Sequence, residues 1–498
     1  MNDGGTSLSD QAPPSSRTLF FQVYPSIVLP MFLAAIDSTI VATALPNIAA
    51  SLGDVERISW VVVSYLMATT IAAAVYGRLG DALGRKRLLM VSLLVFVIAS
   101  VLCAVAPTML FLVGARVLQG IGGGGLMTLC QALVGEVVPP RERGRIQGYM
   151  AAVFMIASTF GPVAGGWLTQ HFGWTSVFMI NLPLGLLALL LASRLQSRPG
   201  TGGKLRFDWL GLAFFTGFVV SLLLALELAQ RLSVAAAPGI AAWVAAAVVS
   251  LVLLLRQEAR SAAPLIPVKL LRHAAIWRAD AMGACVGATI IAAVTFMPIY
   301  LQVVRGIPPS QVGLLMLPLT AGIAVGAMFT GRMITITGRT AIFPSIGQVV
   351  VTACLVVLGL GAGSLPVGVL PWLFLLLAMS LGTTMPVVNV TVQAVAGPQH
   401  LGAASASVQF TRSIGGALGT ATVGAVLFAV LALRDPAVAG LFANVIERGP
   451  GVLDGMTTAA RASLAVEITG AFRAAFLTIG SFSFVALLLA WSLPVRRI

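Results

Sequence analysis

Two ionisable side chains stand inside long apolar stretches of this chain. Asp37 lies in Ala35-Ile36-Asp37-Ser38-Thr39-Ile40-Val41, roughly two and a half turns from the far end of its stretch. A carboxylate in such a setting costs about 2.5 kcal/mol or more unless it is partnered, hydrated or protonated. It is either a structural hydrogen bond between helices or a protonation site on which a proton gradient acts. Arg116 is its natural partner: it lies roughly 10 Å below the same surface, against roughly 13 Å for Asp37. The expected chemistry is a buried ion pair whose cation eases proton loss from the acid.

Arg116 opens the run Arg116-Val117-Leu118-Gln119-Gly120-Ile121-Gly122-Gly123-Gly124-Gly125, which also satisfies a GxGxxG pattern. No strand precedes it and the segment is apolar, so a dinucleotide site is rejected in favour of close helix packing. Gly161-Pro162-Val163-Ala164-Gly165-Gly166 places a proline among small residues inside another apolar stretch, again suited to close packing. Gly415, Gly416 and Gly419 repeat the small-residue theme later in the chain, beside Arg412, which has no assigned role. A short loop, Gly77-Arg78-Leu79-Gly80-Asp81-Ala82-Leu83-Gly84-Arg85-Lys86-Arg87, joins two apolar segments. Its basic cluster suits topology anchoring, and Asp81 suits a latch that meets a helix N-terminus or an arginine in one state and loses it in another.

These residues need helices that cross a membrane. Of 498 residues 58% are hydrophobic and only 9% charged, far below the roughly 25% charged residues of soluble domains. Apolar runs long enough to span the hydrocarbon core recur about fourteen times, at 22–46, 58–80, 88–106, 109–135, 145–170, 174–193, 208–230, 237–257, 276–303, 310–336, 341–362, 368–392, 403–430 and 470–492. The net charge of +14 does not require nucleic acid, because the basic residues gather in alternate loops. That is the positive-inside pattern, and it sets both termini in the cytoplasm. Cys103, Cys130, Cys285 and Cys354 lie in apolar runs without CxxC spacing, and the three histidines are scattered, so neither disulfides nor a metal site is expected. Residues 1–17 read as a disordered cytoplasmic tail, with the first span inserting the chain and no cleavable signal.

Gly331-Arg332 and Gly338-Arg339 repeat Gly77-Arg78 and Gly84-Arg85 at identical spacing, with Thr335 in the place of Asp81. If the seventh and eighth spans are an insertion, the two copies follow the second span of each of two six-helix halves. The expected fold is all-α and integral to the membrane: a first half at 18–200, two additional helices at 201–258, and a second half at 259–498 that includes an external loop at 431–469. Glu227 is expected to pair with Arg231, and Glu136 and Asp280 to anchor or cap helix ends. Tyr65, Gln131, Asn181, Phe296, Asn389, Gln393, Gln409 and Arg412 are candidates for a central substrate cavity.

The Gly77–Arg87 loop resembles the signature loop of the major facilitator superfamily, and the Arg116–Gly125 run its fourth-helix motif. Gly161-Pro162-x-x-Gly165-Gly166 resembles the antiporter motif of its exporters. Asp37-Ser38-Thr39-Ile40-Val41 with Ala44-Leu45-Pro46, Trp60-Val61-Val62-Val63-Ser64-Tyr65 and Phe178-Met179-Ile180-Asn181-Leu182-Pro183 together resemble the fourteen-helix drug:proton antiporter branch. Ala42-Thr43 replace the asparagine usual there, and the external loop matches no motif of the branch. The resemblance implies proton-coupled export of lipophilic, cationic drugs or toxic compounds by alternating access. Asp37 and Arg116 would couple protons, and Asp81, Arg85, Gly77 and Gly84 would gate. Alternatives are a dedicated exporter of one endogenous metabolite or lipid, and a proton-coupled uptake carrier on the same fold. The implied location is a bacterial inner membrane, with a periplasmic adaptor as a further possible partner. No cofactor is expected. No GxSxG elbow, Walker loop, HExxH or carboxylate cluster is present, so an enzyme is not expected.

Overall fold

A computed structural model of the chain describes residues 24–54, 57–195, 207–230, 237–261, 264–265, 268–434, 438–442 and 458–497. The expected tail at 1–17 lies outside them. Among the described residues fourteen helices are long and apolar enough to cross a membrane. They are α1 (Tyr24–Leu52), α2 (Trp60–Leu83), α3 (Arg85–Ala104), α4 (Met109–Val137), α5 (Pro140–Phe172), α6 (Ser176–Ser193), α7 (Trp209–Leu228), α8 (Ala237–Arg260), α9 (Ala274–Val303), α10 (Gln311–Thr337), α11 (Ile342–Leu360), α12 (Val367–Ala396), α13 (Pro398–Arg434) and α14 (Val466–Trp491). Helices suit this sequence because each satisfies its own backbone where no water can. The large side chains left outside, such as Leu94, Ile98, Phe160, Val163, Leu186 and Trp372, are apolar and face lipid.

The helices build two bundles. In the first half α2 packs on α4, α3 on α4 and α1 on α5; in the second α9 packs on α13, α10 on α12 and α11 on α14. Each half has its own apolar core. Two bundles and two additional helices thus account for the fourteen spans. The place of the additional pair was not readable from sequence. α7 packs on α8 and reaches both α2 and α13, with Phe215 and Phe218 flanking Phe410 at 5.1 and 6.4 Å between ring centres. α8 turns Val244, Val248, Val249 and Leu255 outward.

The halves meet at the end of the bundle that carries the basic clusters. Two crossings close it, and they are the two copies of the repeated loop motif. Gly77 of α2 abuts the Gly402 carbonyl of α13, where an added Cβ would come within 2.6 Å of that oxygen. Gly331 of α10 abuts the Gly144 backbone of α5. Gly84 ends α2 at φ 95°, a conformation that glycine adopts without strain. Several basic side chains cap helix C-termini at this end: Lys86 donates to Ser193 O and Leu195 O, Arg143 to Gly135 O and Val138 O, and Arg278 to Ser492 O. Asp280, six residues into α9, caps nothing.

Two helices are interrupted, each just ahead of a proline. α6 breaks at Ile180, since Pro183 has no N–H for the Met179 carbonyl. α12 breaks at Thr383, where Pro386 leaves the Gly382 carbonyl without its donor. The last helix differs from its expected span: it begins at Thr458 rather than near 470. α13 likewise runs on to Arg434, which pairs with Glu467 at 3.3 Å. Of the expected external loop, 435–437 and 443–457 lie outside the described residues.

Candidate functional site

Asp37 and Arg116 meet inside the first half. Arg116 Nη1 donates to Asp37 Oδ2 at 2.7 Å, and the two residues are 1% and 0% exposed. The carboxylate is fully engaged, because its other oxygen accepts from Gln119 Nε2 and from Asn181 Nδ2, both at 2.8 Å. Arg116 also donates to Gln119 Oε1 at 2.6 Å and to Val61 O at 3.1 Å, and the Tyr65 ring lies 4.0 Å beneath its guanidinium carbon. Ser100 accepts from Gln119 and Asn181. A buried ion pair is tolerable only when such bonds satisfy its remaining valences.

The backbone explains the arrangement. Asn181 is the first residue after the interruption of α6, which directs its amide at Asp37. Arg116 and Gln119 share a face of α4 at i, i+3. The glycines that follow let α2 and α3 approach: a Cβ at Gly120 would come within 2.6 Å of Tyr65 O, and one at Gly122 within 2.7 Å of Phe96 N. On α5, Gly161 and Gly165 lie against Thr39, Ile40 and Thr43 of α1. Thr39 also donates to Ala157 O at 3.3 Å, so α5 grips α1 just beyond Asp37. Pro162 is exposed, and nothing lies within 4 Å of a Cβ built on Gly166.

A second charged cluster sits at the α2–α13 crossing. Asp81 accepts from the N–H groups of Gly402 at 2.8 Å and Ala403 at 3.1 Å, in the first turn of α13. The positive end of that helix favours the carboxylate. Arg85 donates to Asp81 at 2.6 Å, to Pro398 O at 3.0 Å, and to Glu136. Glu136 is thus a partner of Arg85 rather than a cap. Thr335, which stands in the second copy where Asp81 stands in the first, donates to Gly331 O of its own helix.

The expected cavity residues separate into groups. Tyr65 and Asn181 belong to the Asp37 network, and Phe296 is buried in the core of the second half. Gln393 donates to Gln131 O at 3.0 Å across the halves, and Gln147 donates to Gln131 Oε1 at 2.7 Å. Asn389 is turned back to Met385 O. Gln409 and Arg412 are bonded to each other at 2.8 Å at the middle of α13. Glu227 accepts from Ser59 at 3.2 Å, while its expected partner Arg231 lies outside the described residues. Among the described residues no cluster of His, Cys, Asp and Glu could hold a metal ion. Gln119, Ser100 and Glu136 are the members of these networks that the sequence did not single out for the roles they hold.

One family model takes in both charged networks and the Arg412 region. The Major Facilitator Superfamily model covers residues 27–420. The chain belongs to this superfamily. It is therefore a multi-pass membrane protein of a transporter superfamily. An uncharacterised MFS-type transporter of Mycobacterium tuberculosis is 34% identical over 422 residues, 85% of this chain. The match covers 60% of that relative, so the chain spans well under two thirds of its length. The multidrug transporter protein MdtP of Bacillus subtilis is 31% identical over 426 residues, covering 84% of this chain and 77% of the relative. Among solved structures, the human organic anion transporter MFSD10 superposes with a TM-score of 0.66 at 15% identity, over 96% of this chain and 100% of that one. That likeness establishes the facilitator fold.

Proposed function

We propose that this superfamily member is a proton-coupled exporter of lipophilic compounds, with halves at 18–200 and 259–498 rocking about a central site and 201–258 as an added pair. The basic end is taken as cytoplasmic. The observation that carries the reading is the buried Asp37–Arg116 pair, whose carboxylate is satisfied on both oxygens. Protonating Asp37 removes one charge of the pair and leaves Arg116 uncompensated. Breaking a buried pair in this way costs about 3–5 kcal/mol. A proton on Asp37 therefore biases any conformational equilibrium in which the pair is intact in one state and relaxed in the other.

The closed basic end supports the same cycle. Asp81 and Arg85 hold α2 to α13 at the end taken as cytoplasmic, which closes that side and leaves the opposite side for a proton to enter and an exported compound to leave. The grip of Gly161 and Gly165 on α1 links the antiporter-motif helix to the helix that carries Asp37. The multidrug names of the Bacillus relatives favour broad lipophilic cargo. Asp37 does not itself favour a cation, because its charge is taken up by Arg116.

The test uses everted membrane vesicles loaded with a lipophilic dye after a proton gradient is imposed. Accumulation in the wild type that is lost in Asp37→Asn is expected. Equal accumulation in both would remove Asp37 from the coupling. Gradient-driven movement in the opposite direction would make the protein an uptake carrier.

A further inference from the structure

Arg412 is the charge at the middle of the bundle that the proton-coupling reading does not use. It lies fourteen residues into α13 from Pro398, about 21 Å along the helix from the basic end. Phe154 lies fourteen residues into α5 from Pro140, at the same depth in the other half. The guanidinium carbon of Arg412 is 5.3 Å from the centre of the Phe154 ring, so the two bridge the space between the halves. A central arginine costs about 2.5–3.5 kcal/mol on the mild insertion scale. One hydrogen bond to Gln409 Oε1 and one aromatic face offset only part of that.

Its environment has no internal counter-ion to offer. Among the described residues no carboxylate lies within ion-pair distance of Arg412. Asp37 is engaged by Arg116. Asp280 lies on α9 seven residues before Gly287, whose added Cβ would come within 3.2 Å of the Arg412 side chain. That spacing is about 10 Å along the helix, beyond direct reach. Phe154, the ring against Arg412, packs with Phe32 of α1 and Met127 of α4 on the buried Ala35, Ile36 and Ala157, and all three are partly accessible, which extends an apolar wall from the guanidinium. Methionine and aromatic side chains adapt to varied apolar bodies. A guanidinium presents a planar fork of donors that matches two oxygens of an oxyanion.

We propose that Arg412, set against the Phe32–Met127–Phe154 wall, is the head-group subsite for a lipophilic oxyanion. The transported compound then carries a carboxylate, sulfonate or phosphate on an apolar body. This rests on the reading of the central space as the exporter's substrate site, and it replaces the cationic substrate expected from the family resemblance. The anion completes the coordination of an arginine that the protein leaves open, and the aromatic wall holds the body.

The test is equilibrium binding to the detergent-purified full chain. The probes are radiolabelled taurocholate (a sulfonate), indomethacin (a carboxylate) and tetraphenylphosphonium (a cation of similar bulk). Saturable binding of an acid probe is expected, weakened at least tenfold by Arg412→Gln and only a few-fold by Arg412→Lys, with tetraphenylphosphonium binding unchanged by either. Displacement of the acid by phosphatidylglycerol would identify a lipid as the natural oxyanion, and no displacement would identify a soluble acid. Three results overturn the proposal: neither acid binds, Arg412→Gln binds as tightly as wild type, or cation binding falls equally. Should Arg412→Gln fail to fold, an Arg412→Lys variant equal to wild type for acid and cation alike, with Phe154→Ala also without effect, overturns it as well. Intact acid binding with no gradient-driven transport in vesicles would sink the exporter reading alone. Gradient-driven cation export without acid binding would sink this inference alone.

Discussion

Neutralising Asp81 should open the basic end. The Asp81 carboxylate, 7% exposed, accepts from two N–H groups at the start of α13, at 2.8 and 3.1 Å, and from Arg85 at 2.6 Å. Asp81→Asn keeps one acceptor oxygen and turns the other position into a donor facing donors. The Ala403 N–H loses its acceptor, and the bonds from Gly402 and Arg85 lose the carboxylate charge, where each charge-assisted bond is worth about 1.5–3 kcal/mol. Arg85 retains Glu136 and Pro398 O, which holds the net loss near 3 kcal/mol. That shifts a two-state equilibrium by about 150-fold. A closed end that dominates wild type then shares the population with an open one. Nitroxide labels at Arg87→Cys and Gln399→Cys, both exposed and on opposite sides of the crossing, report the change by pulsed electron resonance. The native Cys103, Cys130, Cys285 and Cys354 are buried or half-buried and are replaced in the labelling background. Wild type should give one short distance, and Asp81→Asn a second, longer one of comparable weight. An unchanged distance distribution would refute the latch.

Within one motif, Gly165→Ala and Gly166→Ala should part company. A Cβ on Gly165 runs into Ile40 and Thr43 of α1, and overpacking of this kind costs about 1–3 kcal/mol, whereas nothing lies within 4 Å of a Cβ on Gly166. Thermal melting of the purified variants should fall for the first and hold for the second; equal losses would break the link between α5 and α1. Asp280 is 3% exposed and neither carboxylate oxygen is hydrogen-bonded, since the neighbouring Ser407 hydroxyl donates to Ala404 O instead. Asp280→Asn should therefore leave the melting temperature unchanged or raise it, and a drop of several degrees would reveal a partner.

How much could be read beforehand follows from what leaves a trace in sequence. Asp37 and Arg116 stand out because a charge in an apolar run is rare, and similar depth made them partners on paper before geometry brought them to 2.7 Å. Gln119, Ser100 and Asn181 leave no such trace: an uncharged polar residue in a span is common, and the aim of Asn181 depends on a helix break set by Pro183. Glu136 and Asp280 looked alike as acids near helix ends, yet one pairs with Arg85 and the other lies beside Ser407 with neither oxygen hydrogen-bonded. The fourteen spans were legible because length and hydropathy decide them. The position of α7 was not, since a helix that is apolar all round does not say which face it buries. Arg412 was visible as a charge, but only the fold sets it opposite Phe154.

The two crossings at the basic end are copies in sequence and in backbone contact, yet they are held differently. At α2–α13, Asp81 and Arg85 add charged hydrogen bonds to the glycine contact. At α5–α10, the contact rests on the backbones at Gly144 and Gly331 and on Gly148 against Ala327, with Thr335 turned to its own helix. Parting the first means breaking hydrogen bonds worth several kcal/mol, and parting the second means separating close-packed backbone and the Ile334 side chain that lies on Gly144. The two crossings therefore resist separation by different means, charge at α2–α13 and close packing at α5–α10. Of the helices at these crossings, α5 is the one that clasps α1 through Gly161, Gly165 and the Thr39–Ala157 bond. On the proposed mechanism a change at Asp37 that loosens this clasp should be felt at the α5–α10 crossing, whereas Asp81→Asn should be felt at α2–α13.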